Sequence, residues 1–252
     1  MVFHFLLRQH IGAPSVPVVA VGDWVRRGQL IARKPDGMLG AALHSSVTGR
    51  VTSLTDTAVD ITPDAGYETE TGYLPLSDAT PRGLVEASGL VGLGGAGFPT
   101  WGKLAPLPGG TVILNAAECE PILCHNIERL TREPAKTLRG LRIAMELTQA
   151  ERGVVAIKAE HTEAIRALRT FLRGGIALCV LPSLYPAGEE RAVVREALGV
   201  LTNVDELPSS AGAIVLNAET LYRLAEAVDD RKPLIDKDVT VAGKLSGAPV
   251  QV

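Results

Sequence analysis

Four clusters of polar and flexible residues carry the chemistry this sequence has to offer. The first is Gly92-Leu-Gly94-Gly95-Ala-Gly97, followed by Phe98 and then Lys103. Its glycines match G-x-G-x-x-G, a spacing that lets backbone amides come close to a pyrophosphate. The acid that such a fingerprint needs about 20 residues further on exists at Glu118. The crossover helix does not, because Phe98 to Gly110 holds three prolines, which a helix interior does not tolerate. Three meanings stay open: a dinucleotide fingerprint, a glycine turn with no ligand, and a concavity of open N–H groups. The last, with Lys103 adding positive charge, suits a phosphate attached to something else.

The other three clusters each follow an apolar run. They are Asn115-Ala-Ala-Glu118-Cys119-Glu120, Tyr185-Pro-Ala-Gly188-Glu189-Glu190 and Asn217-Ala-Glu219-Thr220. Open α/β sheets bind ligands beyond the carboxyl ends of their strands, so convergence there outweighs any single residue. Helix capping accounts for part of the pattern, at Glu120 and Thr220 above all. Cys119 and Cys124, with His125 and Glu118 near them, do not make a closed zinc set. They read as a buried thiol and a helical one, and no metal is expected. His10 and His44 lie near turns and receive no chemistry.

The elements that must position these clusters change character along the chain. Up to residue 62, short apolar stretches are broken by Gly22-Asp23, Arg27-Gly28, Asp36-Gly37 and Thr48-Gly49, the mark of a small all-β barrel or sandwich. Residues 63–81 are rich in Thr and Pro without apolar period and read as a linker. From residue 82 the pattern is α/β. Strands are predicted at Thr111–Asn115, Gly153–Lys158, Ile176–Leu181 and Ala213–Asn217. Helices are predicted from Glu120–Pro121 onward, from Glu133–Pro134 to Gln149, and over Thr162–Arg173, Glu189–Leu198 and Glu219–Val228. A strand, helix, strand series of this kind builds a parallel sheet.

Composition narrows the function. The 252 residues carry a net charge of −3, so no basic field argues for nucleic acid or an anionic membrane surface. No apolar run reaches the ~18–20 residues of a membrane span. Three cysteines without a Cys-x-x-Cys pair fall short of the four thiolates an iron–sulfur cluster usually takes. They exclude a disulfide scaffold as well, which fits a reducing cytoplasm. Aromatics are scarce at 4%, so a nucleotide site would lean on backbone amides and carboxylates rather than stacking rings.

Val91 to Lys103, Asn115 to Pro121, Tyr185 to Glu190 and Asn217 to Thr220 together resemble the FMN- and NADH-binding flavoprotein of respiratory complex I. They are more similar still to the C subunit of the Rnf electron-transport complex and the cobalamin reductase of bacterial microcompartments. Gln9 to Pro14, Val21 to Asp23, Gly28 to Ala32 and His44 to Gly49 are similar to the barrel-sandwich domain of those relatives. The resemblance implies a barrel-sandwich hybrid domain over 1–62, a linker over 63–81 and a Rossmann-like FMN/NADH-binding domain over 82–236. Residues 237–252 would begin a truncated β-grasp module, with Val239–Gly243 as its first strand.

The implied activity is a flavin-dependent NADH:acceptor oxidoreductase. It would take hydride from NADH and pass electrons to an external iron–sulfur protein or a larger electron-transport or microcompartment complex. By motif position FMN would meet Gly92, Gly94, Gly95, Gly97, Phe98, Lys103, Asn115, Glu118, Cys119, Tyr185, Gly188, Asn217 and Thr220. Glu120, Glu189 and Glu190 resemble the carboxylates that face flavin and nicotinamide. The chain departs from complex I at Leu93, Ala117 and Cys119, and its Leu201–Gly212 stretch has no aromatic. The cluster-bearing C-terminal region is absent, so no iron–sulfur cluster is expected in this chain. It is expected in the cytoplasm, joined to a membrane complex or microcompartment only through partners. The alternative is a flavin- or partner-binding assembly protein, or a fragment, without electron output. A biotinyl carrier is disfavoured, because the position of its modified lysine falls on Met38.

Overall fold

The computed structural model describes residues 1–120, 122–203, 205–241 and 250–251. It resolves into two compact units, Met1–Lys103 with Glu226–Lys237 and Leu104–Ala225 with Asp238–Val252.

In the first unit the turn residues cut the chain into seven short strands. They are β1 (Phe3–Leu6), β2 (Val16–Pro17), β3 (Trp24–Val25), β4 (Leu30–Arg33), β5 (Leu43–His44), β6 (Gly49–Leu54) and β7 (Ala58–Pro63). One antiparallel sheet has the order β1-β7-β6-β3 and the other β2-β4-β5. Val25, Ile31, Val51, Val59 and Ile61 fill the core, with the period of two of half-buried strands visible in β7, where Val59 and Ile61 are buried. Gly28, at φ +85°, is needed where it stands: a Cβ there would lie 2.7 Å from the Leu74 nitrogen. The stretch after β7 is irregular apart from a 3-10 turn at Tyr67–Thr69. It is held by Leu74 N–H donating to Arg27 O at 2.8 Å and Thr48 Oγ1 donating to Glu70 at 2.6 Å. A helix the sequence reading omits, α1 (Pro81–Ala87), is capped by Thr80, whose Oγ1 accepts from Gly83 N–H at 3.0 Å. After the glycine loop comes a single turn, α2 (Thr100–Lys103).

The second unit is the α/β part. Its order is β8 (Thr111–Ala116), α3 (His125–Arg132), α4 (Pro134–Thr148), β9 (Arg152–Lys158), α5 (Thr162–Arg169), β10 (Ile176–Leu181), α6 (Glu190–Leu198), β11 (Ala213–Asn217) and α7 (Ala218–Asp229), whose last turn belongs to the first unit. The four strands are parallel in the order β10-β9-β8-β11. The chain therefore steps outward from β8 to β10 and returns to the far side of β8, which makes the β8/β11 boundary the switch point of the sheet.

Two helix limits differ from expectation by more than one residue. Helix α3 begins at His125 and not at Glu120, because its first-turn amide Asn126 N–H donates to the carboxylate of Glu118 at 3.1 Å. A cap supplied from eight residues upstream leaves no local signature. Helix α5 ends at Arg169, four residues short of Arg173, before Gly174 and Gly175 take positive φ. Near the C-terminus β12 (Thr240–Val241) pairs antiparallel with β13 (Val250–Gln251). Ala242 and Gly243 of the expected Val239–Gly243 strand lie outside the described residues.

Candidate functional site

The glycine loop belongs to the first unit. Its base is closed by a bridge between Val91 and Pro99, by Gly92 N–H donating to Phe98 O at 2.9 Å and by Thr100 N–H donating to Leu90 O at 2.9 Å. Its tip, Gly94 to Ala96, is exposed, and nothing lies within 4 Å of where a Gly95 side chain would begin. Gly97 is buried with φ +71°. Phe98 is exposed, and Lys103 ends α2 half-buried.

In the second unit Asn115 and Asn217 are register partners closing β8 and β11 at the switch point. Asn217 Oδ1 accepts from Glu219 N–H at 2.9 Å, and its Nδ2 has no bond among the described residues. Asn115 is turned the other way: Nδ2 donates to Gly188 O at 2.9 Å and Oδ1 accepts from Ala117 N–H at 3.0 Å. Gly188 N–H donates to Cys119 Sγ at 3.2 Å. These bonds join the turn after β8 to the turn after β10.

Glu118, next to that junction, is half-buried as a residue, with its side chain turned inward. Its Oε1 accepts from both the backbone and the Nδ2 of Asn126, and Lys158 Nζ donates to its carbonyl at 2.6 Å. Its Oε2 is buried with no hydrogen-bond partner. His125 stands between two carboxylates, with Nδ1 at 3.6 Å from Glu118 and Nε2 at 3.9 Å from Glu219. Glu219 is fully buried. It accepts from Asp238 N–H at 2.8 Å and lies 3.8 Å from Arg223, while Arg129 and Arg223 pair with Asp238.

The remaining candidates divide. Glu120 is exposed, and among the described residues no bond reaches its carboxylate. Glu189 is the N-cap of α6, accepting from Ala192 N–H at 3.1 Å and Arg191 Nε at 2.9 Å. Desolvation pushes its carboxyl upward, but these hydrogen bonds and the arginine charge outweigh it and hold the pKa low. Glu190 opens α6 half-buried, Tyr185 is 82% exposed and Thr220 is fully buried. Cys124 is exposed and donates to Glu128 at 3.4 Å; desolvation first, and then Glu128, pushes its thiol up. Among the described residues no three His, Cys, Asp or Glu side chains gather as a metal site, and no helix is long and apolar enough to cross a membrane.

Sequence reasoning passes over Asn126, Lys158, Arg223 and Asp238, which hold Glu118 and Glu219 in place. On their helices Asn126 and Arg223 look like part of a solvated face, and Lys158 and Asp238 look like ordinary charged residues outside any helix. The available signal is the Asn126 side chain, polar and unfavourable within a helix unless it bonds locally.

The chain is similar to several known proteins. Residues 85–226 match the Nuo51 FMN-binding domain, and residues 2–65 match the RnfC barrel sandwich hybrid domain. The C subunit of the proton-translocating ferredoxin:NAD(+) oxidoreductase complex of Clostridium ljungdahlii is 34% identical, over 94% of this chain and 56% of that one. The C subunit of the ion-translocating oxidoreductase complex of Pseudomonas aeruginosa is 36% identical, over 98% of this chain and 34% of that one. The cobalamin reductase PduS of Salmonella typhimurium is 39% identical, over 69% and 38%. The chain thus spans about half the length of these relatives, or less. Among solved structures, an NAD+-reducing NiFe-hydrogenase in the H2-reduced state superimposes with a TM-score of 0.53 at 25% identity, covering 60% of this chain and 31% of that one.

Proposed function

Because this chain belongs to the Nuo51 FMN-binding domain family and carries an RnfC-type barrel-sandwich domain ahead of it, we propose that it is an FMN-dependent electron-transfer module that takes hydride from NADH and passes electrons to an iron–sulfur or other partner. It is a homologue of the Rnf-type C subunits and of PduS cobalamin reductase, related to the complex I flavoprotein. The observation that carries the reading is the Asn115–Asn217 register pair at the switch point of a parallel sheet, where such sheets take their ligands.

The residues present fit FMN. The loop tip offers open backbone N–H groups, Asn217 Nδ2 is available to donate, and the buried Glu118 Oε2 is an acceptor without a donor. When bound, FMN supplies the exchange between two-electron and one-electron transfer. In this reading Gly92, Gly94, Gly95, Gly97 and Lys103 hold the phosphate, with Thr220 toward that side. Asn115, Glu118 and Asn217 orient the ring, and Phe98 and Tyr185 wall it. Cys119 and Gly188 fix the turn that carries Glu189 and Glu190, which with Glu120 face the nicotinamide. No side chain transfers a proton; the protein's contribution is to align donor and acceptor and exclude water.

The same reading divides the chain at 62, 81 and 236, with a β-grasp module beginning at 237. It places the protein in the cytoplasm, bound through partners to a membrane or microcompartment complex that supplies the clusters.

The test is anaerobic titration of the purified chain. It should take up FMN, quench the flavin fluorescence, and lose the yellow absorbance on adding NADH. Failure to bind FMN at high concentration defeats the reading. Binding without bleaching leaves a flavin-binding assembly protein and removes the dehydrogenase.

A further inference from the structure

The barrel has no assigned task, and its contacts within the first unit supply one. We propose that the barrel is the bed on which the glycine loop is built, and that the buried His10 is the positioning residue that locks this bed. Two segments of the barrel meet beneath the loop, Gln9–Ala13 and Leu39–Ala41. Ala13 N–H donates to Leu39 O at 2.8 Å, and a Cβ on Gly12 would stand 2.3 Å from that oxygen, so the two backbones are in direct contact. His10 ties them a second time. Its Nδ1 faces Ile11 O at 3.1 Å, and its Nε2 faces Ala41 N–H at 3.2 Å and Ser15 Oγ at 3.2 Å. The carbonyl partner assigns the proton to Nδ1, which leaves Nε2 to accept from Ala41. Ser15 Oγ donates to Ala41 O at 2.8 Å and completes the lock.

The loop rests on this bed at two points, both on the C-terminal side of its tip. At the first, Ile11 N–H donates to Gly97 O at 3.1 Å, and a Cβ on Gly97 would come within 3.1 Å of Gln9 O and 3.3 Å of His10 Cα. At the second, Trp101 Nε1 donates to Gly40 O at 2.8 Å, and Lys34 Nζ lies 4.8 Å over the Trp101 ring while pairing with Glu86 at 3.0 Å. A Cβ on Gly102 would come within 3.1 Å of Leu39 Cδ1. Gly97, with its positive φ and its close approach to the Gln9 and His10 backbone, therefore seats the C-terminal side of the loop on the barrel, whereas the tip between Gly94 and Ala96 is exposed. A small all-β domain with Met38 where a carrier would have its lysine thus has a part in ligand binding: it holds the phosphate-side loop open, at low entropic cost to whatever binds there. The choice of FMN as probe rests on the proposed function; the mechanical claim does not.

The test uses the whole chain with His10→Ala, His10→Gln and Trp101→Phe, and with His4→Ala, an exposed barrel position, as control. Hydrogen exchange without cofactor is read over residues 91–103 and over β8–β11, and FMN affinity is read by fluorescence quenching. Loss of a buried hydrogen bond should speed loop exchange and weaken FMN binding by about tenfold in His10→Ala and Trp101→Phe. The β8–β11 segments and the control should stay unchanged, and His10→Gln should recover part of the loss. Unchanged loop exchange, or unchanged FMN affinity with a loosened loop, overturns the inference. So does acceleration spread evenly over both units. If His10→Ala does not fold, Trp101→Phe decides. A wild-type chain that binds no FMN defeats the functional reading instead, and exchange alone then decides this one.

Discussion

The amide of Gly188 donates to the sulfur of Cys119 at 3.2 Å, while the carbonyl of the same glycine accepts from Asn115 Nδ2 at 2.9 Å. Both peptide groups of one residue in the turn after β10 are thus held by the end of β8 and the turn that follows it. Cys119 also points at Ala117 O, at 3.6 Å. The thiol fastens two turns, and the carboxylates of Glu189 and Glu190 begin directly beyond the fastening.

Gly188→Ala should break it. A Cβ there would lie 2.0 Å from Ala117 O and 2.8 Å from Cys119 Sγ, and the first of these is backbone that cannot swing away. Overpacking of this kind costs roughly 1–3 kcal/mol. Cys119→Ala should cost less, about 1 kcal/mol for one lost acceptor. Urea midpoints at constant m-value check both. Equal stability of Gly188→Ala and wild type would mean that the two turns are not in contact.

Gly140→Ala tests a second close approach, where two physical effects oppose. Alanine is the better helix former by about 1 kcal/mol in a helix interior. Yet the added Cβ would stand 1.8 Å from the carbonyl of Leu221 in α7, inside any van der Waals contact. The clash wins, because the atom met is backbone that cannot swing away, so α4 and α7, which bury Leu138 and Leu141 on one and Leu221 on the other, would have to separate. A net loss of roughly 1–3 kcal/mol is expected, seen as a lower Tm in calorimetry. A stabilised variant would show that α4 and α7 lie further apart.

The strands Ile176–Leu181 and Ala213–Asn217 are legible to the residue, since each is a short apolar run between a glycine and a polar cluster. The glycine loop is legible as a motif, but its attachment to the barrel is not, because Gly97 and Gln9 are far apart in the chain and only the fold brings them together. The start of α3 is hidden for the same reason: its cap, Glu118, comes from before the helix and across a turn. Glu118 itself is recognisable as a site residue, whereas Asn126, which occupies its Oε1, reads as one more polar residue on a charged helix. Local pattern reports what a residue prefers, and the partners that decide its role are set by tertiary contact.

Asn126→Ala should therefore be costly for a helix residue. The side chain donates to Glu118 Oε1 at 3.0 Å and accepts from Glu219 N–H at 2.9 Å. A bond to a carboxylate is worth about 1.5–3 kcal/mol, and Glu118 would be left with one donor fewer, whereas Glu219 N–H keeps Asn217 Oδ1. A loss of roughly 2–3 kcal/mol in urea unfolding is expected. Asn126→Asp should be worse, because it adds a carboxylate beside Glu118 in place of a donor. If Asp proves better tolerated than Ala, a cation must reach this cluster.

His44 makes the barrel sensitive to acid. Burial lowers its pKa from 6.5 to about 4, and its Nδ1 is buried without a hydrogen-bond partner. In the unfolded chain this imidazole takes up a proton near pH 6.5, while in the folded chain it does so only near about 4. Between those values the unfolded state binds more protons, so stability falls as pH drops from 6.5 to about 4 and the loss is constant below. At about 1.36 kcal/mol per pH unit the full loss is roughly 3 kcal/mol. His44→Gln removes the titration, so the stability of wild type relative to the variant should fall across this window and stay level above pH 7. Urea unfolding at a series of pH values measures that difference, and parallel curves for the two proteins would show that His44 is already solvated when folded.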